Sequence, residues 1–489
     1  MKSNKSLTKN SLFYIIYNIL NIVFPFVTGV YAARILLPDD IGMIESARNL
    51  VQYFVILSFL GIPTYGLREI SKNRNDKDEL NKIYSELIII NFISTCFFGI
   101  VYLIIINSIP AYRDGYILYL LTGMLIFLNI FNNSWLYEGL EEFKYITIRN
   151  LIFKIVSFII LILFVKDTND YLIYASINII GTAGNYILNI IHSRKIVKLT
   201  TKNLNFKRHM KSIIYLVVVN LAIEIYMLLD ITMLSFLCEK SKVAYYSYGM
   251  KIYRILYQII NTFTIVVVPR LALLFKENKK QFDELLTKTY KIVLIIAIPM
   301  ILGIFAVSDY IICLLYGKTY LSSSYVLKIL SISLVISPTG YLLGSRVMLI
   351  TNNEKKMVIP VAIGALTNII LNSLFIIKFN EIGAAAASVI SEFIVMIVYI
   401  LISKKYFKLV NIMGTIKKII ISSIILLIYL LLMSFITHTL IMYIIDIVGA
   451  IAIYSLSLII LKEKIVIEFL EKFKCKIMCS VDNTIKNAK

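Results

Sequence analysis

Cysteine is scarce and unpatterned: five in 489 residues, at Cys96, Cys238, Cys313, Cys475 and Cys479. The odd count and the missing CxxC pair exclude a disulfide scaffold and a zinc ribbon. Cys475 and Cys479 could share a helix face, but no histidine lies near enough in sequence to complete a metal site. The histidines His192, His209 and His438 are isolated, and each reads as a loop or interfacial residue rather than a catalyst, since catalytic histidine needs an orienting partner. No HExxH and no GxSxG occurs. Gly317-Lys318-Thr319 mimics the end of a phosphate loop, but Ile312 stands where its first glycine belongs. No metal, cofactor, ATP hydrolysis or other enzymatic activity is therefore expected. Eight prolines are too few for a linker protein. Charged residues make up only 16% of the chain, against about 25% in an ordinary soluble domain, which excludes a water-soluble enzyme and a disordered chain.

What the sequence has is apolar length. Hydrophobic residues reach 59% and the mean hydropathy is +0.82. They fall in runs of about 20, enough to cross a hydrocarbon core about 30 Å thick. The expectation is an all-α polytopic membrane protein of about fourteen transmembrane helices. The apolar runs place them at 11–35, 42–65, 82–106, 116–137, 146–165, 171–192, 212–236, 244–275, 289–307, 325–350, 357–379, 382–402, 419–436 and 442–461. Pro25 breaks the first span softly, and the basic start Met1–Asn10 runs straight into it as a retained segment rather than a signal peptide.

A net charge of +21 would suit a nucleic-acid binder, but the basic residues sit in short loops. Arg68, Lys72, Arg74, Arg194, Lys195, Lys207, Arg208, Lys279, Lys280, Lys355, Lys356, Lys404 and Lys405 fall on one side with both termini. The other side holds only Arg113, Lys166, Lys240, Lys242, Lys318 and Lys378. By the positive-inside rule the crowded side is cytoplasmic. This gives a six-helix lobe over 1–192, a cytoplasmic linker over 193–211, and a second six-helix lobe over 212–402. Two extra helices over 403–461 and a basic tail over 462–489 follow.

Sliding the chain against itself by 206 positions lays Arg48, Gln52 and Pro63 on Arg254, Gln258 and Pro269. Leu80, Lys82 and Tyr84 fall on Leu286, Lys288 and Tyr290. The offset covers six spans, an even number, so both copies share one topology. Parallel repeats of this kind hold substrate between their halves. An ionisable side chain inside a span costs about 2.5–3.5 kcal/mol, so it usually faces protein or a wet cavity. Glu45 and Arg48 share a helix face, as do Lys251 and Arg254 at the equivalent repeat positions. Three cations and one anion would then face a central cavity suited to an anion, arginine reading phosphate oxygens in pairs. The alternative is that Glu45 pairs with Lys251 while the arginines reach the outer surface. Asp230, with Glu224 on the same span, is either a cation-coupling carboxylate or the structural partner of a neighbouring hydroxyl or lysine. Lys154, Glu392 and Asp446 read as packing or interface residues.

Several segments resemble the Wzx-type oligosaccharide flippases, the polysaccharide-transporter branch of the multidrug/oligosaccharidyl-lipid/polysaccharide exporter superfamily. WLYEGLEEFKYITIRN (Trp135–Asn150) resembles their loop between helices 4 and 5, and GIPTYGLREISK (Gly61–Lys72) the end of helix 2. LLPDDIG after the first span and EIGAAAASVISE (Glu381–Glu392) also fit. The resemblance implies two parallel-repeat six-helix bundles around a central cavity, plus two C-terminal helices. It also implies outward movement of an undecaprenyl-pyrophosphate-linked oligosaccharide across the bacterial cell membrane by alternating access, for capsule, O-antigen or another surface polysaccharide. Polymerase and glycosyltransferases would be partners. In such flippases arginines on helices 1, 2 and 8 bind the pyrophosphate. Arg48 and Arg254 occupy the comparable helices 2 and 8, and Arg34 ends helix 1. A cation-coupled multidrug exporter of the same fold is the second reading, and a scaffold without transport the third.

Overall fold

The computed structural model describes residues 4–435 and 440–471. Cys475, Cys479, His438 and most of the basic tail lie outside them. Among the described residues the chain is helical with turns and no strand. The helices are α1 (Asn4–Ala33), α2 (Pro38–Phe59), α3 (Ile62–Asn73), α4 (Lys77–Ser108), α5 (Tyr116–Leu128) and α6 (Ser134–Gly139). Then come α7 (Phe143–Phe164), α8 (Tyr171–Ser193), α9 (Lys207–Leu237), α10 (Lys240–Val266), α11 (Val268–Glu277) and α12 (Lys279–Tyr316). The last six are α13 (Ser322–Ser331), α14 (Ser333–Gly340), α15 (Val347–Ile350), α16 (Val358–Ser403), α17 (Ile412–Ser434) and α18 (Leu440–Ile460).

Among the described residues, eleven stretches are long and apolar enough to cross a membrane. One of them, Glu354–Tyr406, is 53 residues long and carries non-helical angles at Asn380 (φ 49°), so it accounts for two expected spans. Adding the 23-residue α8, whose polar residues dilute its hydropathy, and the 31-residue α9 gives the fourteen expected from sequence. Pro25 sits inside a continuous α1 rather than ending it.

The chain forms two compact units. The first comprises residues 1–248, 315–320 and 369–384; the second comprises 249–314, 321–368 and 385–489. In the first, α2 packs on α4, α5, α8 and α9, and α7 packs between α1 and α8. In the second, α17 pairs with α18 through Leu426, Tyr454 and Leu458.

The repeat is visible in backbone detail. The second span does not run unbroken to Tyr65: α2 stops at Leu60 and Gly61, both left-handed, and α3 restarts with a proline in its first turn. A Cβ on Gly61 (φ +69°) would lie 2.8 Å from the Leu216 Cβ, so both the angle and the space call for glycine there. The eighth span is interrupted at the equivalent position, Val267, though with right-handed angles (φ −83°, ψ −13°), and α11 likewise restarts with Pro269 in its first turn. In the segment after α8, Asn81 and Ser85 accept the backbone N–H of Lys198 (2.7 Å) and Thr200 (2.9 Å). In the second unit Asp283 and Thr287 accept those of Lys408 (3.0 Å) and Val410 (3.0 Å). This matched anchor equates Asn81 with Asp283, an offset of 202, one helical turn from the register of 206 that the ungapped alignment gives.

His209 is not isolated. It is 2% exposed, with Nδ1 at 2.7 Å from the Tyr65 hydroxyl and Nε2 at 2.6 Å from Glu86, which is wholly buried. A neutral ring protonated on Nε2 satisfies both contacts. Arg208 bonds Glu86 and Glu79, and the Asn205 N–H donates to Glu86 at 2.6 Å. Glu86 thus ties the linker to α4.

Candidate functional site

The α7 sequence FKYITIRNLIFKIVSFIILILF is amphipathic in the inverted sense that a membrane requires. Its buried positions are Ile146, Thr147, Arg149, Asn150, Lys154, Ser157 and Leu161, one helical face that is mostly polar. Its opposite face, Ile148, Ile152, Ile155, Ile159 and Ile162, is exposed to the lipid side. The polar face looks into the bundle of the first unit.

A hollow of about 350 Å³ lies there, lined by Asn21 and Phe24 of α1, Trp135 and Glu138 of α6, Arg149 and Lys154 of α7, and Asn185 and Tyr186 of α8. A second hollow of about 270 Å³ shares the walls Phe59, Asn132, Thr182 and Tyr186 with it and is lined by Arg48 and Gln52 of α2. Both lie wholly within the first unit. Their lining alternates amides and hydroxyls with aromatic rings, a surface that can hydrogen-bond a polar guest and stack against it.

Three cations face this space at different depths. At 1.5 Å per residue, Arg149 lies about 9 Å from the N-terminal end of α7, Lys154 about 16 Å along it, and Arg48 about 15 Å from the N-terminal end of α2. Lys154, 7% exposed, donates from Nζ to Asn21 Oδ1 (2.6 Å) and to the Leu20 carbonyl (2.8 Å). Asn150 donates to the same Asn21 oxygen at 3.0 Å. Pro25, lacking an N–H, leaves the Asn21 carbonyl without its helical donor beside these contacts. Arg149 is 4% exposed, and its Nε and Nη1 make no hydrogen bond. Its guanidinium lies 5.4 Å from the Tyr145 ring centroid and 6.0 Å from that of Tyr137. The Trp135 Nε1 is a second buried donor without a partner. Burying such donors unmet is costly unless a guest completes them.

The residues singled out from sequence fall as follows. Arg48 keeps 34% of its side chain exposed and is 3.6 Å from Glu45, its partner one turn away. Arg34 is exposed and donates from Nε to the Leu315 carbonyl at 3.1 Å, a cap on α12. Lys251 and Arg254 lie on α10 in the second unit, the first half-buried and the second exposed. Asp230, 8% exposed, accepts from the Tyr246 hydroxyl and, at 2.7 Å, from Asn372 Nδ2. Glu224 is half-buried two turns earlier on α9. Glu392 accepts from Ser337 at 2.8 Å. Sequence reasoning missed Arg149 and set Lys154 aside as packing. The signal was the spacing Arg149, Asn150, Lys154, Ser157, a polar stripe of helical period in an apolar run.

Comparison with known proteins bears on the family and the fold. The family described as "Polysaccharide biosynthesis protein" matches residues 7–275. The chain is 23% identical over 407 residues to a protein of Escherichia coli K12 named "Putative O-antigen transporter", covering 81% of this chain and 96% of that protein. It is 24% identical over 419 residues to the capsular polysaccharide biosynthesis protein CapF of Staphylococcus aureus, covering 82% of this chain and all of that one. Among solved structures, the lipid II flippase MurJ in its inward closed conformation superposes with a TM-score of 0.68 at 21% identity. That match covers 91% of this chain and 97% of the other.

Proposed function

Because the chain belongs to the polysaccharide biosynthesis protein family, we propose that it is a flippase for lipid-linked oligosaccharides. It carries undecaprenyl-pyrophosphate-linked repeat units from the inner to the outer leaflet of the bacterial cytoplasmic membrane, with both termini cytoplasmic, by alternating access of the lobes 1–192 and 212–402. The relatives named O-antigen transporter and capsular polysaccharide biosynthesis protein support this reading. The observation that carries it is the membrane-embedded hollow lined by Arg48, Arg149 and Lys154 together with amides and aromatic rings. A pyrophosphate and its sugars cross hydrocarbon only along a polar, charged path. The three cations oppose the second reading, a cation-coupled drug exporter, because they repel a cationic guest.

The anion's own charge supplies the drive. A membrane potential, negative inside, is worth about 2.3 kcal/mol per charge per 100 mV and favours outward movement of an anion. Polymerase and glycosyltransferases would act on either side of the step. Arg48→Ala and Arg254→Ala are expected to lower surface polysaccharide at least tenfold at unchanged protein level; normal polymer would remove the binding role of these arginines. Asp230, with Glu224 nearby, is the candidate for added ion coupling. Asp230→Asn should then lose the response of transport to a sodium or proton gradient, and an unaltered response would reject that assignment.

A further inference from the structure

On its lipid side the first unit carries an apolar groove of about 510 Å³ between α7 and α8, formed by Tyr145, Ile148, Ile152 and Leu188. Ile148, Ile152 and Leu188 are 42%, 53% and 40% exposed, so the groove opens to the hydrocarbon. Lys144 and Glu142 stand at its cytoplasmic rim. Toward the outer leaflet α8 closes on α7: a Cβ on Gly184 would lie 2.8 Å from the Phe153 ring. The opening is therefore confined to the cytoplasmic half of the membrane.

One residue lines both this groove and the inner hollow, and it is Arg149. Its guanidinium is buried, flanked by the rings of Tyr137 and Tyr145, with two N–H donors unmet. An apolar channel outside, a phosphate-reading fork at the threshold and an amide-lined hollow inside match an amphiphile with those three parts in that order. We propose that the α7–α8 groove is the entry site for the lipid-linked substrate. The prenyl chain lies on Ile148, Ile152 and Leu188, the pyrophosphate on Arg149, and the proximal sugar within reach of Asn185 and Trp135. The inference rests on the flippase reading and adds where and how the substrate leaves the inner leaflet. Only the polar part enters the protein, while the chain stays in hydrocarbon and is never desolvated into water.

The single tryptophan makes the test direct, since Trp135 lines the hollow. Its fluorescence would be titrated in the full-length protein in nanodiscs with undecaprenyl pyrophosphate, with undecaprenol and with inorganic pyrophosphate. The wild type is expected to bind undecaprenyl pyrophosphate at least tenfold more tightly than either part alone. Arg149→Ala should weaken undecaprenyl pyrophosphate and inorganic pyrophosphate at least tenfold, with Arg149→Lys in between. Leu188→Phe, which fills the groove, should weaken only the lipid forms. Unchanged affinities in all three variants, alongside loss of binding in Arg48→Ala, would overturn the entry site and leave the flippase reading standing. Undecaprenol binding as tightly as undecaprenyl pyrophosphate would reduce the groove to an ordinary lipid contact and overturn it too. No saturable binding of undecaprenyl pyrophosphate by the wild type would overturn both.

Discussion

Exchanging the ion pair on α2, Glu45→Arg with Arg48→Glu, is expected to leave the protein folded and at its normal level while export falls at least a hundredfold. The two residues sit one turn apart and 3.6 Å from each other, so the exchange keeps their mutual attraction. What changes is the hollow, where a carboxylate replaces the guanidinium beside Gln52 and Asn178. Truncating one member of a charged, hydrogen-bonded contact costs about 2–5 kcal/mol, and placing a like charge against an anion adds repulsion. A hundredfold is about 2.8 kcal/mol at about 1.4 kcal/mol per decade, inside that range. If the pair served only to satisfy itself, the exchange would restore what Arg48→Ala loses. Comparing surface polysaccharide in the two single variants and the exchange, as a double-mutant cycle, separates these roles. Export restored by the exchange would show that Arg48 does not read the substrate.

The second large effect is expected at Glu86, far from the hollow. Its wholly buried carboxylate accepts from His209, Arg208 and the Asn205 N–H. Glu86→Ala leaves the His209 and Asn205 N–H groups without an acceptor and takes one of the two carboxylate partners of Arg208, which keeps Glu79. Leaving a buried donor unsatisfied typically costs about 1–3 kcal/mol, and here two are affected. The variant should therefore accumulate poorly and unfold at a markedly lower temperature in detergent. Glu86→Gln, which keeps one acceptor oxygen, should fall between it and wild type. Thermal unfolding of the purified proteins, followed by circular dichroism, reads this directly. Equal midpoints for Glu86→Ala and wild type would mean that the linker is held by other contacts.

The spans were legible because apolar length alone marks them. Their interruptions were less so. The turn at Asn380 was legible, because Lys378, Asn380 and Glu381 part the apolar runs 357–379 and 382–402; the left-handed pair Leu60 and Gly61 lies inside the run 42–65, and only the following proline hinted at it. The repeat was legible at its charged positions, but its register slips by a turn between α4 and α12, and an ungapped comparison reads straight through such a slip. Arg48 and Glu45 stood out as a pair in an apolar helix. Arg149 did not, because it lies near the N-terminal end of its helix, and near a helix end a basic residue usually reaches for headgroups. Its partners Tyr137 and Tyr145 turn it inward instead. The setting of His209 was invisible for another reason: Tyr65 and Glu86 are 144 and 123 residues away in sequence.

The most direct measurement is reconstitution of the purified full-length protein in vesicles holding a labelled undecaprenyl-pyrophosphate oligosaccharide, without nucleotide and with an imposed potential. Exposure of the sugar on the side toward which the potential drives an anion should be protein-dependent, should speed up with the potential, and should be lost when Arg48 and Lys154 are both replaced by methionine. Equal exposure in empty vesicles, or transport untouched by that double replacement, would contradict the account.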